Sequence, residues 1–127
     1  MTGHSSSAEL GKIRWPDAEL QCVEIDYGAV SMRIRESSGA LRTLRAEGYI
    51  GYNLVGFWDE IVVERAEVSE THAGLQMCMS SIRHRLGQHW PDSGNEARNE
   101  RSWFALLIHF SDGAVLEVFA ARLLVEP

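Results

Sequence analysis

The sequence predicts an α+β domain: a curved, mostly antiparallel sheet of about six strands packed on one helix, in the order β-β-β-β-α-β-β. Three observations lead there. Apolar residues alternate with polar ones over most of the first 70 residues, the pattern of half-buried strands. One segment, Leu75 to Leu86, carries its apolar side chains at helical spacing instead. The last 25 residues read as two strongly apolar strands around Ser111-Asp112-Gly113, a hairpin turn signal.

At 127 residues the chain is one domain with enough length to bury a core without disulfides or metal. Residues 1–12 are polar, with Ser5-Ser6-Ser7, and are expected to be a mobile tail. The domain is expected over 13–127. Val23, Ile25 and Tyr27 alternate with Glu24 and Asp26, a strand with those three turned inward. Gly28 breaks it. Val30, Met32 and Ile34 form the inner face of a second strand, and Arg33 and Arg35 its outer face. After the turn Ser37-Ser38-Gly39, a third strand turns Leu44 and Ala46 inward and runs on into Gly48-Tyr49-Ile50-Gly51-Tyr52. Three glycines and four aromatics between Gly48 and Trp58 read as a bent or bulged strand, since Gly permits positive φ and close approach.

A fourth strand is expected over about 60–68, centred on the β-branched Ile61-Val62-Val63. Ser69 or Thr71 then offers a helix N-cap. Leu75, Cys78, Met79, Ile82 and Leu86 make one apolar stripe, and Gly87 is the expected stop. A single stripe fits a helix lying on the concave face of the sheet, against Phe104, Leu106, Ile108 or their neighbours. Residues 88–101 are the one long polar stretch, and loops of that length often carry function. Trp103 to Phe110 is apolar at nearly every position, as a central strand covered on both faces should be.

The net charge of −6 and the pI near 5.3 argue against a nucleic-acid binder, which concentrates Lys and Arg. They suit a basic protein partner drawn in by electrostatic steering. Cys22 and Cys78 both read as small buried hydrophobes, with a disulfide possible but not required. Met1 to Leu10 has no signal-peptide pattern and no run reaches membrane-spanning length; the expected compartment is the cytoplasm.

Candidate chemistry is sparse. No Ser sits in a nucleophile elbow, and Gly48, Gly51 and Gly56 form no phosphate cradle. His84 and His89 with Asp92 match no zinc spacing, so no metal is expected there, and no cofactor elsewhere. His109, in an apolar strand, reads as a hydrogen-bonded structural histidine. Arg33, Arg35, Arg42 and Arg45 read as partners of nearby carboxylates on a solvated face. The candidate partner-binding residues are Trp58, Asp59 and Glu60 after the glycine-rich segment, with Trp90, Asp92 and Glu96 in the long loop. They offer aromatic anchors beside acidic groups.

The pattern Gly48-Tyr49-x-Gly51-Tyr52, then Gly56-Phe57-Trp58-Asp59-Glu60, resembles the marker of a small bacterial α+β family. A β-branched strand, a helix, a polar loop like Asn95 to Glu100 and a hairpin at Asp112-Gly113 continue the likeness over about residues 20–125. In size, acidity and make-up such proteins are similar to immunity proteins of bacterial toxin systems. The resemblance implies a non-enzymatic binding protein, and no catalytic residue follows from it. Two other readings stay open. One is a small-ligand module with a pocket between sheet and helix, lined by Trp58, Trp103 and Phe119. The other is an enzyme using His109 or His84 with Asp59 or Glu60.

Overall fold

The computed structural model describes residues 2–56, 61–86 and 103–127. The elements are α1 (Thr2–Leu10), β1 (Glu19–Ile25), β2 (Ala29–Arg35), β3 (Leu41–Glu47), β4 (Gly51–Val55), β5 (Val63–Ser69), α2 (Ala73–Leu86), β6 (Phe104–Phe110), β7 (Val115–Ala120) and β8 (Arg122–Glu126). The α+β class and the antiparallel pairing are as expected from sequence. The single six-stranded sheet is not. Among the described residues eight strands form two four-stranded sheets, ordered β1-β2-β3-β8 and β4-β7-β6-β5.

The difference has one physical cause. The expected third and last strands each bend where the chain passes between sheets. β3 ends at Glu47, and Gly48 turns the chain at φ 64°, a conformation cheap only for glycine. β7 likewise gives way to β8 at Ala121, whose N–H donates to the Glu47 carbonyl at 3.2 Å. Between the pairs Glu47↔Arg122 and Gly51↔Phe119, four steps on one strand oppose three on the other. That one-residue bulge bends both strands together. At another corner Glu19 bridges Val62, with Leu20 N–H donating to Ile61 O at 2.9 Å and Val63 N–H to Ala18 O at 2.7 Å.

Between the sheets lies the main core. Val30, Met32, Ile34, Leu44 and Ala46 enter it from one sheet, and Phe104, Leu106, Ile108, Leu116 and Val118 from the other. Two of the β-hairpin turns, β2–β3 and β6–β7, are built alike. Glu36 and Ala40 close the three-residue loop Ser37-Ser38-Gly39, and Phe110 and Ala114 close Ser111-Asp112-Gly113. Gly39 and Gly113 hold φ 95° and 93° at the third loop position, the left-handed site of a three-residue hairpin. Gly113→Ala has open space for its methyl, so it should cost only backbone strain, about 1 kcal/mol. Gly56→Ala meets both a φ of 96° and the Ala114 Cα at 3.2 Å. It should lower the melting temperature more than Gly113→Ala does.

Residues 2–10, expected as a tail, form α1. Serines are weak helix formers, so the segment shows little helical signal, and its docking makes the difference. Leu10 and Ile13 are buried in the main core. Glu9 Oε1 accepts the Val125 N–H at 2.8 Å, and its other oxygen meets Lys12 Nζ at 2.6 Å. α1 thereby lies against β8 and β5. A second helix in the structure is thus real, and the single-helix expectation is corrected.

α2 lies on the sheet through the neighbours of the β6 residues named first. Leu75, with Cys78 and Met79, packs on Ala105, Leu107 and Phe119, which face away from the main core. Phe104, Leu106 and Ile108 themselves point to the other side. Side chains alternate along β6, and both faces are apolar, so the sequence alone left the choice of face undetermined. α2 begins at Ala73, and neither Ser69 nor Thr71 caps it. Instead His72 Nδ1 accepts the Gly74 N–H at 3.0 Å and the His72 carbonyl accepts the Gln76 N–H at 3.1 Å. The fourth strand starts three residues later than expected, at Val63, and Ile61 is exposed. Cys22, expected to be buried, is exposed, and both cysteines are free. The register shift between Leu20 and Cys22 turns its thiol to the outer face opposite Arg33.

Glu36 is the most buried carboxylate of the first sheet. It accepts the Arg14 backbone N–H at 3.1 Å and the Arg42 Nε at 3.3 Å. The Arg14 N–H above all, and Arg42 beside it, hold its carboxyl below the usual range. A carboxyl depressed in the folded state stabilises the fold above its unfolded pKa, about 4.3. That stabilisation is lost as pH falls through the folded value. A series of melting temperatures should therefore drop below about pH 4.3, and Glu36→Gln should be less stable at pH 7 with a flatter acid limb. Equal acid limbs for both proteins would contradict this.

Candidate functional site

One rim of the molecule gathers features that protein surfaces usually avoid. The chain has three tyrosines, Tyr27, Tyr49 and Tyr52, and all lie there. The β1–β2 connection sets the first. Asp26 Oδ1 accepts the Gly28 and Ala29 N–H groups at 2.9 Å each, an Asx-type turn. The strand ends at Ile25, and Tyr27, expected to face inward, is fully exposed. Gly48 N–H donates to the Gly28 carbonyl at 3.1 Å, which brings the inter-sheet corner against this turn. Tyr49 Oη then donates to the Asp26 carbonyl at 2.8 Å. The Tyr49 and Tyr52 rings lie 6.1 Å apart at 53°, within the range of a tilted aromatic pair.

The rim is also where the core opens. Tyr52 and Leu54 stand opposite Val118 and Leu116, and Ile25 opposite Val30. Those three partners are buried core residues, so Ile25, Tyr52 and Leu54 lie on core-facing sides of their strands. Yet they are 44%, 52% and 39% exposed. Elsewhere α1 covers the flank of the sandwich at β8 and β5. Among the described residues no element covers the flank at β4 and the β1–β2 turn. Asp26 is exposed on the same turn, and Glu24 is exposed on the strand that leads into it.

A second polar group lies on the outer face of the second sheet. His109 Nε2 meets Glu67 Oε2 at 2.6 Å, and Arg65 Nη1 meets the same oxygen at 2.7 Å. A carboxylate only accepts, so the proton lies on His109 Nε2. The His109 bond, then Arg65, draws the Glu67 carboxyl below its usual range. Two strands away His72 Nε2 faces Glu117 Oε2 at 3.3 Å, and the His72 ring tilts over Phe119 at 5.9 Å. His72 Nδ1 is occupied as an acceptor for Gly74. Burial, with Glu117 second, pushes the Cys78 thiol up, which makes it a poor nucleophile.

α2 comes close to the sheet at two glycines. A methyl on Gly51 would sit 2.8 Å from Cys78 Sγ, and one on Gly74 2.8 Å from Phe119 Cζ. These glycines let α2 approach the sheet directly, and Trp103 and Phe119 are part of that packing. Of the arginines named from sequence, Arg42 pairs with Glu36 and Arg45 with Glu47 at 3.0 Å.

Trp58, Asp59, Glu60, Trp90, Asp92 and Glu96 all lie outside the described residues, as do His89 and the side chain of His84. Among the described residues no group of His, Cys, Asp and Glu is arranged to hold a metal ion, and no helix is long and apolar enough to cross a membrane. No family model, no curated protein and no solved structure matches the chain. The tyrosine rim had a sequence signal in Asp26-Tyr27-Gly28, a turn-forming triplet that ends the alternation. The meeting of that turn with Tyr49 and Tyr52 depends on the corner at Gly48, which is a tertiary feature.

Proposed function

We propose that this protein acts by binding another protein, and that the tyrosine rim is the surface it uses. A toxin-neutralising immunity protein is the concrete version. The observation that carries the reading is the set Ile25, Tyr52 and Leu54, core-facing side chains that reach solvent beside all three tyrosines. Tyrosine brings large contact area with few rotatable bonds and is enriched among residues that dominate interface energies. The net charge of −6, with Asp26 at the rim, favours a basic partner. Residues 88–101, with Trp90 and Asp92, are a further contact segment in this reading.

Parent protein and a Tyr27→Ala/Tyr52→Ala variant, immobilised side by side in lysate of the source cell, test it. The parent should retain a basic protein, identified by mass spectrometry, that the variant releases, and association should slow as salt rises. Identical retention by both would remove the rim from consideration.

A second reading, a small His/carboxylate enzyme, draws on the His109–Glu67 contact of 2.6 Å. A carboxylate that orients an imidazole is one component of acid–base catalysis. Glu67 is also held by Arg65, and an ion-paired network on a sheet face serves structure equally well. The binding reading is therefore preferred.

A further inference from the structure

We propose that the outer edge of β4 takes an extended, positively charged segment of the partner as an added strand. This deepens the binding reading and rests on it. A sheet edge presents unpaired backbone N–H and C=O groups, and natural proteins guard such edges with charge, bulges, proline or a covering element. The other edges here are guarded. β8 lies against α1, and its Val125 N–H is taken by Glu9. β1 and β5 are bridged to each other through Glu19↔Val62. Each also carries a register shift, at Leu20/Cys22 and at Val63/Arg65, and charged side chains, Glu24 on one and Glu64, Arg65 and Glu67 on the other.

Over Gly51–Val55 β4 has none of these devices, the corner bulge lying before Gly51. It pairs with β7 alone, in unbroken register from Gly51 to Val55. Residues 48–56 contain no charged residue and no proline. Among the described residues nothing pairs with its outer edge. Five residues give about 17 Å of template, enough for strand addition of the kind that peptide-binding sheets use. An added strand would set alternate side chains beside Tyr52 and Leu54, so apolar residues at every second position fit there. Asp26, whose carbonyl takes the Tyr49 hydroxyl at the Tyr49–Tyr52 end of the strand, calls for Lys or Arg at the matching end of the guest. Charge also selects against a second copy of this chain, since each copy carries −6.

The test uses the full chain, labelled with 15N, and synthetic nine-residue peptides of alternating Val and Thr ending in two Lys or two Glu. The amide signals of Gly51 to Val55 should shift on adding the Lys peptide and exchange more slowly with solvent. At low salt the Lys peptide should bind at least tenfold tighter than the Glu peptide, with the difference shrinking at high salt. Leu54→Lys should weaken the Lys peptide by a similar factor. Strand pairing uses alternate N–H groups, so N-methylation of alternate peptide residues in one phase should abolish binding, and in the other phase should leave it.

Three results would overturn the proposal. One is the absence of shifts at 51–55 with millimolar peptide. Another is equal binding of both methylated phases. The last is concentration-dependent shifts at 51–55 without peptide, which would make a second copy the occupant. Capture of a cell protein that still depends on Tyr27 and Tyr52 would then leave the binding reading standing. Loss of that dependence would remove the reading itself.

Discussion

Leu106→Ala should destabilise the whole domain by about 3–4 kcal/mol, because a fully buried leucine loses its transfer energy and leaves a cavity. Leu106 has no solvent exposure and stands between Val68 and Val118 on the core face of β6. Its neighbours come from both sheets, so the cavity cannot close by moving a single element. For a chain of this size a loss of that order lowers the melting temperature by roughly 10 °C or more. The adjacent Leu107 points the other way, towards Leu75 of α2. Leu107→Ala should cost less, about 2 kcal/mol, and should loosen α2 before the sandwich. Hydrogen exchange on the two variants separates these outcomes. Equal protection patterns in both would contradict the two-faced arrangement of β6.

The Tyr27→Ala/Tyr52→Ala variant should weaken partner binding by about 100-fold, the loss of roughly 2–3 kcal/mol expected when central aromatic contacts are truncated. Its melting temperature should stay close to that of the parent. Tyr27 is fully exposed and Tyr52 half-exposed, so their removal creates no buried cavity. Tyr49→Ala makes an instructive contrast. Tyr49 packs partly on the main core and its hydroxyl holds the Asp26 carbonyl. Its loss should lower both binding and stability. Calorimetry on the identified partner, beside thermal melts, distinguishes the two kinds of variant.

Much of the strand content was readable because period-two alternation survives wherever one face of a strand is wet. Val30, Met32 and Ile34 against Arg33 and Arg35 are such a case, and the structure buries the former and exposes the latter. Phe104 to Phe110 read as a doubly covered strand for the complementary reason. The same property hid which face α2 occupies, since an all-apolar strand has no polar side to mark. α1 was hidden because Leu10 is its one buried apolar residue, and its docking depends on Glu9 reaching Val125, 116 positions away. The glycine-rich segment was correctly seen as a bend. That the bend carries the chain into a second sheet depends on the matching break at Ala121, which no local pattern announces. Tyr27 shares the alternation of Val23 and Ile25 up to the break at Tyr27-Gly28, yet it lies outside the strand because the Asp26 side chain ends β1 at Ile25. The candidate residues at 58–60 and 90–96 fall outside the described residues. The tyrosine rim therefore rests on structure, where the acidic character it shares with them was legible from composition.

Amide hydrogen exchange on the protein, free and bound to its captured partner, tests the binding surface most directly. New protection should fall on residues 24–28 and 49–56, the β1–β2 turn and the strand that carries Tyr49 and Tyr52. Protection confined to the outer face of the first sheet, or to the His109–Glu67 face, with 24–28 and 49–56 unchanged, would contradict it.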